Sequence, residues 1–296
     1  MTFPTDVGVI DLMLSIPTGH EQDWYEFLKP QLREESKDFE FPAQYMFKEV
    51  PHLQGGEDTD WVATTLELMD RHSIEKAMVG VGLDKDHRGT GDWNAIERYP
   101  DRFFGSYSVD PNRGMDGVRD LVKAYELYGI KAAIAFPAGL LPQVPINDKK
   151  FFPLYAKCIE LDIPINVCTG ICGPRVPSAC QDTMLIDEVC WYFPELKFVM
   201  RHGAEPWADV AAKLLLKWPN LYYSTSAFAP RYYPEAIVNF ANTRGADKVM
   251  YAGYYPMGLS LDRIFKELPD VPFRDNVWPK FLRENAQRVF KLPEKK

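Results

Sequence analysis

Short apolar runs recur along the chain and alternate with longer stretches whose apolar positions return every three or four residues. The first kind reads as β-strand and the second as amphipathic helix. Strands are predicted over 7–12, 76–82, 103–109, 130–136, 164–169, 197–202, 221–227 and 248–254, and helices over 61–73, 91–100, 116–129, 150–162, 183–194, 205–219 and 234–245. Gly129 and Gly245 fall just past predicted helix ends, where glycine accepts a left-handed conformation, and Pro206 and Pro234 fall near first turns, where a missing N–H costs nothing. Runs such as KAMVGVG and IKAAIAF are apolar on both faces, as parallel strands covered by helices must be. Eight such units predict an α/β protein built as a closed (β/α)8 barrel. A doubly wound sheet would want a Gly-rich phosphate loop after an early strand, and GVIDLML is not one.

Two segments stand outside this alternation. Residues 18–60 form a long insertion after the first strand, mixing Trp24, Tyr25, Phe27, Phe39, Phe41, Tyr45, Met46 and Phe47 with the charged run REESKDFE. Excursions of that length in a compact domain serve as lids, binding elements or oligomer contacts. Residues 273–292 read as an amphipathic helix that closes the barrel. No internal repeat beyond the βα period and no low-complexity tract is found, and residues 1–296 are expected to form a single barrel domain with 18–60 as its insertion.

Composition narrows the partners. A net charge of -8 disfavours nucleic acid and anionic membrane, which require a concentrated basic face. The opening MTFPTDVGVID has no signal-peptide pattern, and no apolar run approaches the ~20 residues of a membrane span, so a cytoplasmic protein is expected. The five cysteines form neither a disulfide framework nor the paired spacing of a structural zinc site.

In a barrel of this kind the chemistry sits at the C-terminal ends of the strands. The residues there are Asp11 and Met13, Asp84, Asp110, Phe136, Cys168 and Thr169, Arg201 and His202, Ser224 and Ser226, and Tyr254 and Tyr255. One histidine stands among them: His202, where an apolar strand gives way to Gly203. Arg201, Arg175 and Arg231 are candidate carboxylate clamps, because a guanidinium matches a carboxylate bidentately. Phe136, Tyr222, Tyr223, Phe228, Tyr232, Tyr233, Tyr254 and Tyr255 gather near strand ends and predict an aromatic mouth suited to a ring-bearing ligand, although alternation must send some of them to the helix layer.

Five ordered motifs then carry a resemblance: VIDLML, PELKFVMRHGAEPW, NLYYSTSA, ADKVMYAGYYP and FLRENAQRVFKL. Together they resemble the amidohydrolase-related family, which includes the aminocarboxymuconate-semialdehyde and resorcylate-type decarboxylases and various hydrolases. The resemblance covers nearly the whole chain and implies a distorted TIM barrel. It also implies a metal held by an HxH pair after the first strand, a His after the fifth and an Asp after the eighth, with a further His after the sixth that handles protons. In this sequence Met13 and Ser15 occupy the paired positions, Cys168 lies near the third, Tyr254 occupies the fourth, and only His202 persists. Met, Ser and neutral Tyr are poor donors for zinc or manganese.

The sequence therefore predicts a metal-independent enzyme without a cofactor, acting on a small carboxylated or ring-bearing substrate with an activated carbonyl, by hydrolysis or by C–C or C–O cleavage. His202 is the expected acid/base, Asp11 its orienting partner or second acid, and Tyr254 a hydrogen-bond donor to a developing oxyanion; Arg201, Arg175, Arg231, Phe136, Cys168, Ser226 and Met13 are the expected substrate contacts. Two alternatives stay open: a former enzyme that now binds a ligand or serves assembly, and a metal enzyme with atypical ligands such as Asp11 and His202. By analogy with the family, a homodimer is expected.

Overall fold

A computed structural model describes residues 3–18, 21–33, 58–84 and 89–293. Its strands are β1 (Val9–Asp11), β2 (Ile74–Leu83), β3 (Gly89–Gly91), β4 (Phe103–Ser108), β5 (Ala132–Ala135), β6 (Ile165–Cys168), β7 (Phe198–Arg201), β8 (Leu221–Ser224) and β9 (Val249–Met250). Eight of these pair in parallel, in the order β1-β2-β4-β5-β6-β7-β8-β9, while β3 folds back antiparallel on the end of β2. The sheet curls until Leu14, just past β1, bridges in parallel to Tyr255, just past β9, with the Ser15 N–H donating to the Tyr255 carbonyl at 3.1 Å. Helices follow the strands as expected of a (β/α)8 barrel: α1 (Trp61–Arg71), α2 (Trp93–Arg98), α3 (Met115–Tyr128), α4 (Phe152–Glu160), α5 (Leu185–Tyr192), α6 (Ala208–Lys217), α7 (Glu235–Thr243), α8 (Leu261–Glu267) and α9 (Asn285–Val289).

All eight predicted strands form. The hairpin strand β3 and the short helix α8 were not predicted; α8 starts at Ser260, whose hydroxyl accepts the Arg263 N–H at 3.2 Å. The predicted closing helix is real but broken by a π turn over Lys280–Glu284 before α9. Gly129 caps α3 in the left-handed region (φ 58°, ψ 35°). Gly245 differs from expectation: its φ is not positive, and the Phe240 ring instead fills the place a Cβ would need.

Alternation along the strands splits the core in two. Ile10, Leu12, Met78, Phe104, Val199, Tyr222 and Met250 face the barrel interior, and Ala286, Val289, Phe290 and Leu292 of the tail plug its lower end, with Phe290 against Phe104 at 6.2 Å. The remaining strand positions, among them Val9, Ile165, Phe198, Met200, Tyr223 and Tyr251, pack outward against the helices. The tail thereby closes the end opposite the mouth.

Candidate active site

Beyond β7 the chain makes a tight turn in which three consecutive residues hold positive φ: His202 (67°), Gly203 (82°) and Ala204 (56°). Left-handed backbone at a histidine and an alanine costs free energy, on the order of 1 kcal/mol each, and persists only where the surroundings enforce it. Here they do. The Ser226 hydroxyl accepts the His202 backbone N–H at 3.2 Å, and the Tyr223 hydroxyl donates to the Gly203 carbonyl at 3.0 Å. Gly203 is required because the Phe228 ring packs where a side chain would stand.

Ser226 Oγ also lies 3.1 Å from His202 Nδ1, and the imidazole meets the Tyr254 ring edge-on at 5.5 Å. With Nδ1 held by Ser226, Nε2 is the nitrogen left for a bound molecule, and the hydroxyl can donate to or accept from Nδ1, so it can serve either neutral tautomer. Burial, reinforced by the neighbouring Arg201 charge and only partly opposed by Ser226, holds the His202 pKa well below 6.5. The ring is therefore neutral at physiological pH and available as a base.

Arg201 lies two residues beyond the inward Val199, on the same face of β7, and pairs in register with Cys168. It is only 7% exposed, and its Nη2 lies 2.6 Å from the Met13 thioether sulfur. Cys168 is buried, and desolvation pushes its thiol up to about 11 despite the Arg201 charge, so it keeps its proton. The structure thus brings His202, Ser226, Tyr254, Arg201, Cys168 and Met13 to one end of the barrel.

Asp11 behaves differently from the expectation. Its partners are the Met13 and Gly253 backbone N–H groups, at 2.9 and 2.8 Å, rather than His202. Ile10 and Leu12 face inward, so Asp11 between them faces outward, toward Tyr251, which packs among Phe265 and Phe281 in the helix layer. Its carboxylate clips the C-terminal ends of β1 and β9 together at the seam of the barrel. Gly253 permits the approach, since a Cβ there would stand 2.6 Å from Asp11 Oδ2. Full burial raises the carboxyl to about 7, with the two backbone donors and Tyr251 opposing the shift.

Two candidate arginines are exposed, unlike Arg201. Arg231 is exposed, with its guanidinium 4.8 Å above the Tyr232 ring and 3.9 Å from Glu267 of α8, a surface ion pair rather than a clamp. Arg175 is exposed on the loop after β6. The aromatic mouth thins as well. Tyr222 points to the lower end beside Lys248 and Arg288, Tyr223, Tyr233 and Tyr255 join the outer core, and Tyr232 is exposed. Tyr254, Phe228 and Phe136 remain near the turn and the loops.

Phe136 meets Phe27 of the insertion edge-on at 6.4 Å, Gln31 Nε2 donates to the Gly139 carbonyl at 2.9 Å, and Leu32 packs with Ala138, Val176 and Cys180. Residues 27–32 of the insertion therefore lie across the loops after β5 and β6. Phe39, Phe41, Tyr45, Met46 and Phe47 lie outside the described residues.

Two polar residues escaped the sequence reading. Asp92, at the start of α2, reads as a helix cap, yet its side chain caps nothing and instead accepts the Ile16 N–H at 3.3 Å, where desolvation raises it to about 7. Asn166 is buried on the interior side of β6, with Oδ1 lacking a partner among the described residues. The only signal for it is an amide interrupting the apolar run PINVC.

The family-implied metal does not fit these residues. At the implied ligand positions Met13 lies against a guanidinium and Ser15 and Tyr254 offer neutral hydroxyls, Cys168 near the third position keeps its proton, and the Asp11 carboxyl faces the other side of the wall. Among the described residues no group of three or more His, Cys, Asp or Glu could hold a metal ion. A divalent cation would also meet the buried Arg201 charge.

Solved structures share the fold. An uncharacterized TIM-barrel protein of Bordetella bronchiseptica is 20% identical, with a TM-score of 0.72 over 96% of this chain and 99% of that one. A 5-carboxyvanillate decarboxylase of Novosphingobium aromaticivorans, solved with manganese and a nitrobenzoic acid, is 17% identical, with a TM-score of 0.67 over 97% of each chain. A 2,6-dihydroxybenzoate decarboxylase from Rhizobium is 15% identical, with a TM-score of 0.64 over 97% of this chain and 99% of that one. No curated protein sequence matches the chain significantly. The profile of the Amidohydrolase family matches residues 93–292, more than half of the chain and all of the barrel from α2 to the tail, and the chain belongs to that enzyme family.

Proposed function

We propose that this protein is an amidohydrolase-family enzyme that works without a divalent metal on a small, carboxylated or ring-bearing substrate with an activated carbonyl, using His202 to move the proton. The observation that carries the reading is the enforced left-handed turn that fixes a neutral imidazole on Ser226 beside Tyr254. Strain of this kind gathers at functional sites because a less costly backbone would leave the side chain elsewhere.

The residues support a balanced sequence. Water adds to the carbonyl carbon, its proton passes to His202, and the carbonyl electron pair moves to oxygen, where the Tyr254 hydroxyl donates a hydrogen bond. Collapse then expels the leaving oxygen, which takes the proton back from His202. In a β-keto acid the bond to the carboxylate breaks instead to release CO2, and the electron pair passes to the ketone oxygen as an enolate held by the Tyr254 hydroxyl. The enolate carbon then takes a proton from water relayed through His202. General-base help is worth about 10²–10⁴-fold and one oxyanion donor about 10²–10³-fold. Those factors suffice for an activated lactone or keto acid, and they are too small for an ordinary amide.

The test is turnover of lactones and keto acids by protein dialysed against a chelator, together with its zinc, manganese, iron and nickel content. Full activity with far less than stoichiometric metal is expected; activity that vanishes on chelation and returns with manganese would overturn the metal-free reading. Tyr254→Phe is expected to lower kcat by about 10²-fold with KM little changed. A change confined to KM would assign the hydroxyl to substrate binding instead.

A further inference from the structure

Among the described residues, most arginines that form ion pairs do so at the surface: Arg98 with Asp60 and Arg102 with Asp70 at 2.6 Å, Arg283 with Glu75 at 3.0 Å. Arg201 is far more buried than any of these and, among the described residues, meets no carboxylate. Among the described residues its one side-chain hydrogen-bond partner is the Met13 thioether, a weak acceptor that carries no charge. An uncompensated charge taken out of water is among the most costly features a fold can carry. The protein keeps this one on the inward face of β7, next to the fixed imidazole and in register with a protonated thiol that offers no counter-charge.

We infer that the Arg201 guanidinium is the resident cation of this site, seating the carboxylate of a small planar substrate without a divalent ion. The inference rests on the reading above that this end of the barrel is the active site. Guanidinium offers five donors in a planar fork that match a carboxylate bidentately. Burial against the Met13 thioether, with the Tyr254 ring edge-on to the adjacent His202, limits competing water and favours a flat body behind that carboxylate. Placed one residue from His202, the anion would sit within reach of the base that acts on the rest of the molecule.

The test needs no turnover, so it fails or succeeds separately from the proposed reaction. Benzoate binding is measured by titration calorimetry on the whole chain with a chelator present, for the wild type, Arg201→Lys and Arg201→Met, and repeated with benzyl alcohol as the uncharged counterpart. Millimolar or tighter binding of benzoate by the wild type is expected, weakened at least tenfold in Arg201→Met and by less in Arg201→Lys, with benzyl alcohol indifferent to all three. Thermal unfolding without benzoate controls for folding, since replacing an unpaired buried charge by an apolar chain of similar length should leave Tm unchanged or raised. Equal benzoate affinity in Arg201→Met, binding that appears only when manganese is added, or no binding by the wild type under either condition would each overturn the inference.

Discussion

His202→Asn is expected to lower turnover by about 10²–10⁴-fold, the value of a positioned acid/base, while leaving the thermal midpoint close to that of the wild type. Asparagine is the informative replacement because position 202 has φ 67°, and Asn tolerates left-handed backbone better than Ala or Gln. The backbone N–H bond to Ser226 Oγ survives the change, so the turn keeps its anchor. The wild-type pH profile should carry the same signature. Because burial and Arg201 depress the imidazole pKa, the neutral base persists below pH 6.5, and the acid limb of kcat/KM should fall under that value. Unchanged turnover in His202→Asn, with the protein folded, would remove the imidazole from the mechanism.

Asp11→Asn is expected to make the protein more stable in alkaline solution and to flatten part of its dependence on pH. The native carboxyl titrates at about 7 against 3.8 in the unfolded chain, so between those values the folded state binds the proton more tightly. Stability contributed by the neutral carboxyl is fully present below pH 3.8, declines as pH rises, and is gone once pH passes about 7. A shift of about three units corresponds to about 4 kcal/mol. The asparagine oxygen can accept the Met13 and Gly253 N–H groups, and its amide can meet the Tyr251 hydroxyl, without ever ionising. Denaturant midpoints at pH 4.5 and pH 8 provide the measurement. The wild type should lose stability across that span and the variant should lose less; an identical loss in both would show that Asp11 is not the titrating group. Asp92, raised for the same reason, supplies the share that remains in the variant.

The architecture was legible because each strand and helix announces itself over six to fifteen neighbouring residues. Runs such as KAMVGVG and IKAAIAF could pack only as parallel strands under helices, and both do. His202 was legible for the same reason, as the first polar residue beyond an apolar strand and an arginine. What escaped the sequence depends on which side of the wall a residue faces. Asp11 sits one position from Ile10 and Leu12, and that single step places it in the seam, against a backbone N–H 242 residues away, instead of beside the imidazole. The same alternation empties the mouth of Tyr223 and Tyr255, the loop after β8 carries Tyr233 into the outer core, and α8, itself unforeseen, supplies the Glu267 that pairs with Arg231 at the surface.

Read alone, the residues predict a (β/α)8 barrel and a resemblance to a family by ordered motifs, with Met13, Ser15 and Tyr254 at positions where that resemblance implies metal donors and Cys168 near another. These are local properties: side-chain periodicity and the chemistry of single residue types. The fold alone shows that Arg201 is buried with no carboxylate beside it among the described residues, that Ser226 holds His202, and that Asp11 joins the barrel seam. Each is a pairing, or a missing pairing, between strands far apart in the chain, and strand register rather than residue type chooses the partners.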